Sequence, residues 1–276
     1  MRRFKKTCLP VSLRTPSTAE AVGPDQTASR LQPVSGRIAD LLGSAILGGQ
    51  RAVGSSLPRE MHASADLGVS RAAYREAVRT LAAKGLVESR TKSGTHVTQR
   101  RRWQVLDPDV LRWAFHSGPN LALINELFEL RQILEPHAAE LAARRRTAEQ
   151  LAVMGCALEE MTRHGLTTAA GQAADRRFHE EILVATGNEA MMTLSASVTA
   201  AVQWSAMLKC KSNGALRDAI PDHRNVYAAI VERDGPRAAQ AARKLIQLSL
   251  QDSHALFRAA AEKKLASGAG RTARQA

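Results

Sequence analysis

Residues 57–97, LPREMHASADLGVSRAAYREAVRTLAAKGLVESRTKSGTHV, constrain this chain more than any other stretch. They read as helix, tight turn, helix and hairpin. Pro58 suits the first turn of a helix, where its missing N–H would lack a partner anyway. That helix runs to about Asp66. Leu67-Gly68-Val69 is a turn, because glycine takes a left-handed conformation without a side-chain clash. Ser70 is a good N-cap, since its hydroxyl can accept from a free backbone N–H one turn on. The second helix spans Arg71 to about Lys84, and Gly85 ends it. Tyr74, Ala77, Val78 and Leu81 form one apolar stripe. Arg71, Arg75 and Arg79 recur every four residues and form a basic stripe beside it. Leu86-Val87-Glu88 and His96-Val97-Thr98 read as short strands. The loop between them, Thr91 to Thr95, is polar and basic and holds Lys92 and Gly94.

A helix packed inward with an arginine edge, followed by a basic hairpin, suits a body that sits on DNA. The helix enters the major groove and the hairpin tip lies along the backbone or in the minor groove. The alternative is a small α/β domain whose arginines are merely solvated. Turn, cap, arginine spacing and hairpin agree at independent levels, which favours DNA.

The order LP, GVSR, REA, KGLV, SGTHV resembles the winged helix-turn-helix of the GntR family of bacterial transcription regulators, over about residues 34–98. The resemblance implies DNA contacts at Ser70, Arg71, Arg75 and the wing-tip Gly94. Arg79 and Lys92 join them from the basic stripe and the loop. One position departs from the pattern: many members carry an arginine where this chain has Met61.

With 276 residues the chain has room for two modest domains with real cores. Aromatics make up only 4%, while alanine and leucine dominate, which favours helix. No apolar run reaches the ~18 residues of a membrane span. The opening MRRFKKTCLPVSL is basic, but its apolar part is too short for a signal peptide. Cys8, Cys156 and Cys210 are odd in number and far apart. That argues against a disulfide framework or zinc knuckle and for a reducing cytoplasm.

The net charge of +13 is unevenly spread. Residues 34–102 carry 12 basic and 5 acidic groups, while residues 103–265 carry 19 of each. The excess lies on the DNA-facing part and the tails, as an electrostatic footprint on phosphate requires. Residues 1–33 hold four prolines and no periodicity, and read as a disordered basic arm. Val34, Ile38, Leu41, Leu42, Ala45 and Ile46 open the DNA-binding domain, 34–98, as a helix. A linker, 99–106, carries Arg100, Arg101 and Arg102.

Residues 107–265 read as a helical bundle, followed by a disordered tail at 266–276. Asp107 or Pro108 opens a short helix. Asn120 caps a long one through Ala143, which Pro136 should kink. Thr147 with Gln150 makes a capping box for a helix to about His164. Residues 168–186, 188–210, 218–233 and 236–263 supply the rest. Bundles of this kind place ligand and metal sites in their interior.

Asp175 and His179, four apart, leave one helix face, and His223 starts a later helix. A carboxylate and two imidazoles can hold a divalent transition metal. The alternative is a surface ion pair and a helix-start histidine. ELRQILEPHAAELAA, DRRFHEEILVATGN and DHRNVYAAIVERDGPRAAQAA resemble the FCD ligand-binding domain of the FadR-type GntR subfamily. The resemblance implies one metal, of zinc, nickel or manganese type, on Asp175, His179 and His223. The fourth ligand position falls on Leu245, which cannot ligate. The site is then completed by water or effector oxygens, or it has lost the metal. Arg131 falls on the subfamily's inward arginine, whose guanidinium can grip an effector carboxylate. The alternative for Arg131 is an ion pair with Glu135, four residues on. RRRWQVLDPDVLRW resembles the sugar-acid-sensing members of the subfamily.

The expected fold is mainly α, an N-terminal winged helix followed by an all-α bundle. The expected protein is a cytoplasmic homodimeric repressor on double-stranded operator DNA, released by a small carboxylate such as a sugar acid, with no membrane partner and no catalytic residues. A metal-dependent hydrolase or lyase tethered to DNA is the rival from another class, and a nonspecific nucleoid protein is a third reading.

Overall fold

The computed structural model describes residues 33–117, 120–195, 198, 200 and 217–272, with 260–272 described by backbone alone. The expected arm through residue 32, Cys8, Cys210 and most of the helix expected over 188–210 lie outside these residues. The chain divides into two compact units, one ending at Gln104 and one beginning at Val105.

The first unit contains α1 (Val34–Leu47), α2 (Glu60–Asp66), α3 (Arg71–Ala83), β1 (Val87–Arg90) and β2 (Gly94–Val97). Ile38, Leu42 and Ile46 of α1, Tyr74, Ala77 and Leu81 of α3, and Leu86, Val87 and Val97 of the hairpin are buried. Leu41, expected on the inward stripe, is 55% exposed because its neighbours Ile38, Leu42 and Ile46 occupy that face. Ser70 caps α3 as expected, accepting from the Ala73 N–H at 3.1 Å. Gly68 supplies the left-handed turn between α2 and α3, with φ 63°.

Pro58 is not in the first turn of α2, which begins two residues later. Its carbonyl accepts from the Tyr74 hydroxyl at 3.1 Å, tying the approach to α2 onto α3. The hairpin is antiparallel with Val87 opposite Val97 and Arg90 opposite Gly94. Its strands reach further toward the tip than the pattern suggested, leaving Thr91-Lys92-Ser93 as the loop. Residues 54–57 pair with β2 on its other side, which no alternation had signalled. Val97 N–H donates to Ser55 (2.9 Å) and Leu57 N–H to Thr95 (2.8 Å).

Six of the eight residues of the expected linker, 99–104, belong to this first unit. The last carbonyls of α3 have no partner inside the helix. Gln104 supplies them, its backbone N–H donating to Lys84 and its side-chain amide to Ala83, both at 3.0 Å. Trp103 Nε1 donates to the Thr98 hydroxyl at 3.0 Å.

The second unit contains α4 (Pro108–His116), α5 (Leu121–Arg145), α6 (Ala148–His164), α7 (Ala169–Val184), α8 (Glu189–Met192), α9 (Ile220–Val231) and α10 (Gly235–Thr272). Asp107, Asn120 and a complete capping box of Thr147 with Gln150 cap their helices as expected, and Thr168 caps α7 as well. Helix α5 continues through Pro136 without interruption. Ala138, Ala139, Ala142 and Ala143 line its inner face, small enough to let neighbouring helices approach. Met154, Met161, Phe178, Leu183, Val226 and Ile230 fill the space around them. Helix α10 runs to Thr272, seven residues into the expected tail. Among the described residues no helix is long and apolar enough to cross a membrane.

Candidate functional site

The first candidate site is the basic face of α3 and the hairpin tip. Arg71, Arg75 and Arg79 are all exposed, because Tyr74, Ala77 and Leu81 take the inward face. Arg75 is held by Glu60 of α2 through two parallel bonds, Nε to Oε2 at 3.1 Å and Nη2 to Oε1 at 2.8 Å. That guanidinium keeps the Glu60 carboxyl below the usual range, first through its hydrogen bond. Arg79 makes one longer contact, 3.4 Å, with Glu76 of its own helix. Met61, which departs from the family pattern of an arginine at this position, is 57% exposed beside Glu60. Ser70 spends its acceptor on the cap but retains its O–H for another partner.

At the tip, Lys92 (φ 67°) and Gly94 (φ 89°) both occupy the left-handed region. A Cβ on Gly94 would meet nothing within 4 Å, so backbone angle rather than crowding asks for glycine there. His96 ties the hairpin to the segment before α2, with Nδ1 3.3 Å from the Gly54 carbonyl and Nε2 3.0 Å from that of Ser93. At the hairpin root, Glu88 is paired with both Arg90 and Arg102, whose hydrogen bonds lower its pKa. The roles of Glu60, Glu88 and His96 escaped the sequence reading. Glu60 with Arg75, Glu88 with Arg102 and His96 with Gly54 lie 14 to 42 residues apart, where no helical or strand period links them. Glu88 with Arg90, two apart on one face of β1, is the one pair that strand spacing could have signalled.

The second candidate site is a polar centre inside the other unit. Asp175 and His179 of α7 and His223 of α9 present ligand-type atoms that all lie within 4.8 Å of one another. The spacing of four along α7 and the packing of α9 against it produce this convergence. His223 Nε2 is 2.9 Å and His179 Nε2 is 3.6 Å from Asp175 Oδ1. Phe178 meets both imidazoles edge-on, with ring centroids 5.5 and 5.9 Å away.

Hydrogen-bond partners decide the chemistry of this centre. His223 Nδ1 lies 2.8 Å from the Ala219 carbonyl, which can only accept. The proton therefore sits on Nδ1, and in the neutral ring Nε2 is a lone pair facing a carboxylate oxygen. Two electron pairs at that distance require a cation between them, either a proton or a metal ion. Asp175 Oδ1 and His223 Nε2 are both buried without a hydrogen bond, as is His179 Nδ1. The donor set of one carboxylate oxygen and two imidazole nitrogens matches a first-row divalent ion with open positions.

Glu135 of α5 joins the centre from the other side. Its Oε2 is 2.8 Å from His179 Nδ1, close but not aligned as a hydrogen bond. Its other oxygen pairs with Arg131 Nε, and both side chains are almost wholly buried. Arg131 also lies over the Phe128 ring, 5.1 Å from its centroid. Of the two readings left open for Arg131, the ion pair with Glu135 is the arrangement present. Burial pushes the Glu135 and Asp175 carboxyls up. For Glu135 the charges of Arg131 and His179 outweigh that and hold it at about 2. For Asp175 the close approach of His223, with the charges of His179 and Arg131, brings it to about 2. Leu245 of α10 is buried in the same apolar cluster as Phe178 and Val226.

Residues 34–97 match the family model described as bacterial regulatory proteins, gntR family, and residues 126–248 match the FCD domain. The galactonate operon transcriptional repressor of Escherichia coli (strain K12) is 33% identical over 216 residues, 77% of this chain and 93% of that protein. The Uxu operon transcriptional regulator of the same organism is 31% identical over 199 residues, 68% of this chain and 74% of its own. A solved structure of Lar, which controls the expression of the Listeria monocytogenes agr system, aligns with a TM-score of 0.60 at 18% identity. It covers 82% of this chain and 99% of that one, and speaks to the fold alone.

Proposed function

Since this chain belongs to the GntR family of DNA-binding transcriptional regulators and carries an FCD domain behind its winged helix, we propose that it represses an operon for the catabolism of a sugar acid or related small carboxylate. Binding of that carboxylate releases it from the operator. Two similar proteins are named for galactonate and Uxu operons, which supports this class of effector.

The observation that carries the sensor reading is the lone pair of His223 turned against Asp175 Oδ1 at 2.9 Å. Asp175, His179 and His223 would hold one divalent ion there. When bound, the ion supplies a Lewis-acidic position for an effector oxygen. His223 is oriented for that task by Ala219, and His179 by Glu135. Arg131 keeps Glu135 on one edge of its guanidinium and directs its remaining N–H groups to the effector carboxylate.

On the DNA side, Arg71, Arg75 and Arg79 enter the major groove, with Ser70, Lys92 and Gly94 along the phosphates. The working form is a cytoplasmic homodimer, because one reading helix covers a half-site and palindromic operators mirror two-fold protein symmetry. Effector binding biases the dimer toward a spacing of reading helices that mismatches the operator. Catalysis is not part of this reading: the similar proteins named above are regulators, and Asp175, His179 and His223 are spent as ligands rather than left as a general base.

A gel shift on DNA upstream of the gene, repeated with a panel of sugar acids and other small carboxylates, tests the proposal. One carboxylate that abolishes the shift is the expected result. A shift insensitive to the whole panel, or turnover of a sugar acid with added metal, would count against it.

A further inference from the structure

We propose that Glu60 is a specificity-determining residue, which grips the Nε–Nη2 edge of Arg75 and so presents the free end of that guanidinium to a guanine. The inference rests on the reading of α3 as the groove helix.

The geometry separates Arg75 from its neighbours. Glu60 opens α2 and Arg75 lies one turn into α3, so the clamp joins the two helices of the helix-turn-helix. Both of its bonds are good, at 3.1 and 2.8 Å. Of the three arginines on the stripe, only Arg75 is held at two points by another element among the described residues.

Stability does not explain the clamp. The Arg75 side chain is 59% exposed and that of Glu60 33% exposed, and pairs this open contribute little to folding. A carboxylate on a surface that meets phosphate also opposes binding to DNA of any sequence. Its benefit must therefore lie in what it does to Arg75. A guanidinium carries five N–H donors, and the clamp uses two. The Nη1 donors and the second Nη2 donor remain, and they are the ones that span O6 and N7 of guanine end-on. A free arginine at this position swings between base and phosphate; a clamped one has lost that choice before DNA arrives. Glu60 thus trades general affinity for discrimination.

The opposing signs make the test specific. Full-length protein, Glu60→Gln, Glu60→Asp and Arg75→Ala would each be used to enrich binding sites from a random duplex pool. Affinity for the enriched site and for random duplex is then measured. Wild type should demand guanine at one position per half-site. Arg75→Ala should flatten that position and weaken binding to random duplex as well. Glu60→Gln should flatten the same position, lowering the ratio of site to random affinity by about 5- to 150-fold, while affinity for random duplex rises. Glu60→Asp keeps the charge but not the reach, and should lose the preference without gaining random affinity. A merely structural loss would lower both affinities together, and that pattern in Glu60→Gln overturns the proposal. An unchanged base preference in Glu60→Gln, where Arg75→Ala changes it, also overturns the proposal while leaving the groove reading standing. An unchanged preference in Arg75→Ala removes the groove reading itself, and the proposal with it.

Discussion

His179 Nδ1 lies 2.8 Å from Glu135 Oε2, and the other oxygen of that carboxylate is bound to Arg131. One buried carboxylate on α5 therefore serves an arginine of its own helix and a histidine of the polar centre on α7. The consequence is that Glu135 acts on stability and on the centre at once. Glu135→Ala leaves the Arg131 guanidinium buried and unpaired, which should cost about 3–5 kcal/mol of folding stability. In protein that remains folded, metal affinity should fall about 10- to 100-fold, the usual effect of losing the group that orients a histidine ligand. Urea unfolding and a metal titration measure the two separately. A metal affinity equal to wild type would show that Glu135 serves Arg131 alone.

Replacing the groove arginines tests the other unit. Arg71→Ala and Arg75→Ala should each weaken operator binding by ~1–3 kcal/mol if the side chain pairs bidentately with guanine. Both residues are exposed and off the apolar stripe, so the circular dichroism and melting of the protein should barely change. Operator affinity unchanged in both variants would remove α3 from the groove.

How far the sequence foretold these sites follows from which interactions have a period. The cap at Ser70, the capping box of Thr147 with Gln150, and the convergence of Asp175 with His179 are local, three or four residues apart, and were readable. The arrival of His223 beside Asp175 is a matter of helix packing 48 residues on, and only the family resemblance supplied it. Glu60 with Arg75 and Glu135 with His179 join different helices, so no spacing announced them. The bridge from residues 54–57 to β2 was invisible for a different reason. GSSL has no alternation, and its pairing with β2 is dictated by the unpaired edge of the hairpin. The linker is shorter than arginine-rich TQRRRWQ suggests, because Trp103 bonds Thr98 and Gln104 finishes the end of α3.

Gly85 and Gly94 offer a paired test of backbone against crowding. Both have positive φ, 76° and 89°. A Cβ at Gly94 meets open space, whereas a Cβ at Gly85 collides with the Arg102 carbonyl. Gly94→Ala should therefore cost only the left-handed backbone penalty of about 1–2 kcal/mol. Gly85→Ala should cost roughly 3 kcal/mol or more, since the segment that finishes α3 must also move. Unfolding of the first unit, followed by Trp103 fluorescence, would compare the two. Equal losses would mean that the 98–104 segment gives way freely.

The polar centre can be emptied and completed. If Asp175, His179 and His223 share one ion, His179→Ala should remove it, because only one carboxylate and one imidazole remain. The response to effector should be blunted while operator binding without effector stays near wild type, since the groove contacts lie in the other unit. Leu245→His supplies the converse. Leu245 is buried in the cluster that surrounds Phe178, itself in edge contact with both imidazoles. A histidine there adds a nitrogen where the ion would otherwise hold water, so metal affinity should rise. Response to effector should fall in the same variant if the effector uses that open position. Metal content of wild type, His179→Ala and Leu245→His, measured after equilibration with zinc, nickel and manganese, decides the matter. A full complement in wild type, none in His179→Ala and tighter binding in Leu245→His is the expected order. Three equally metal-free proteins would assign the cation between His223 and Asp175 to a proton, and leave Arg131 with the neighbouring polar groups to bind the effector alone.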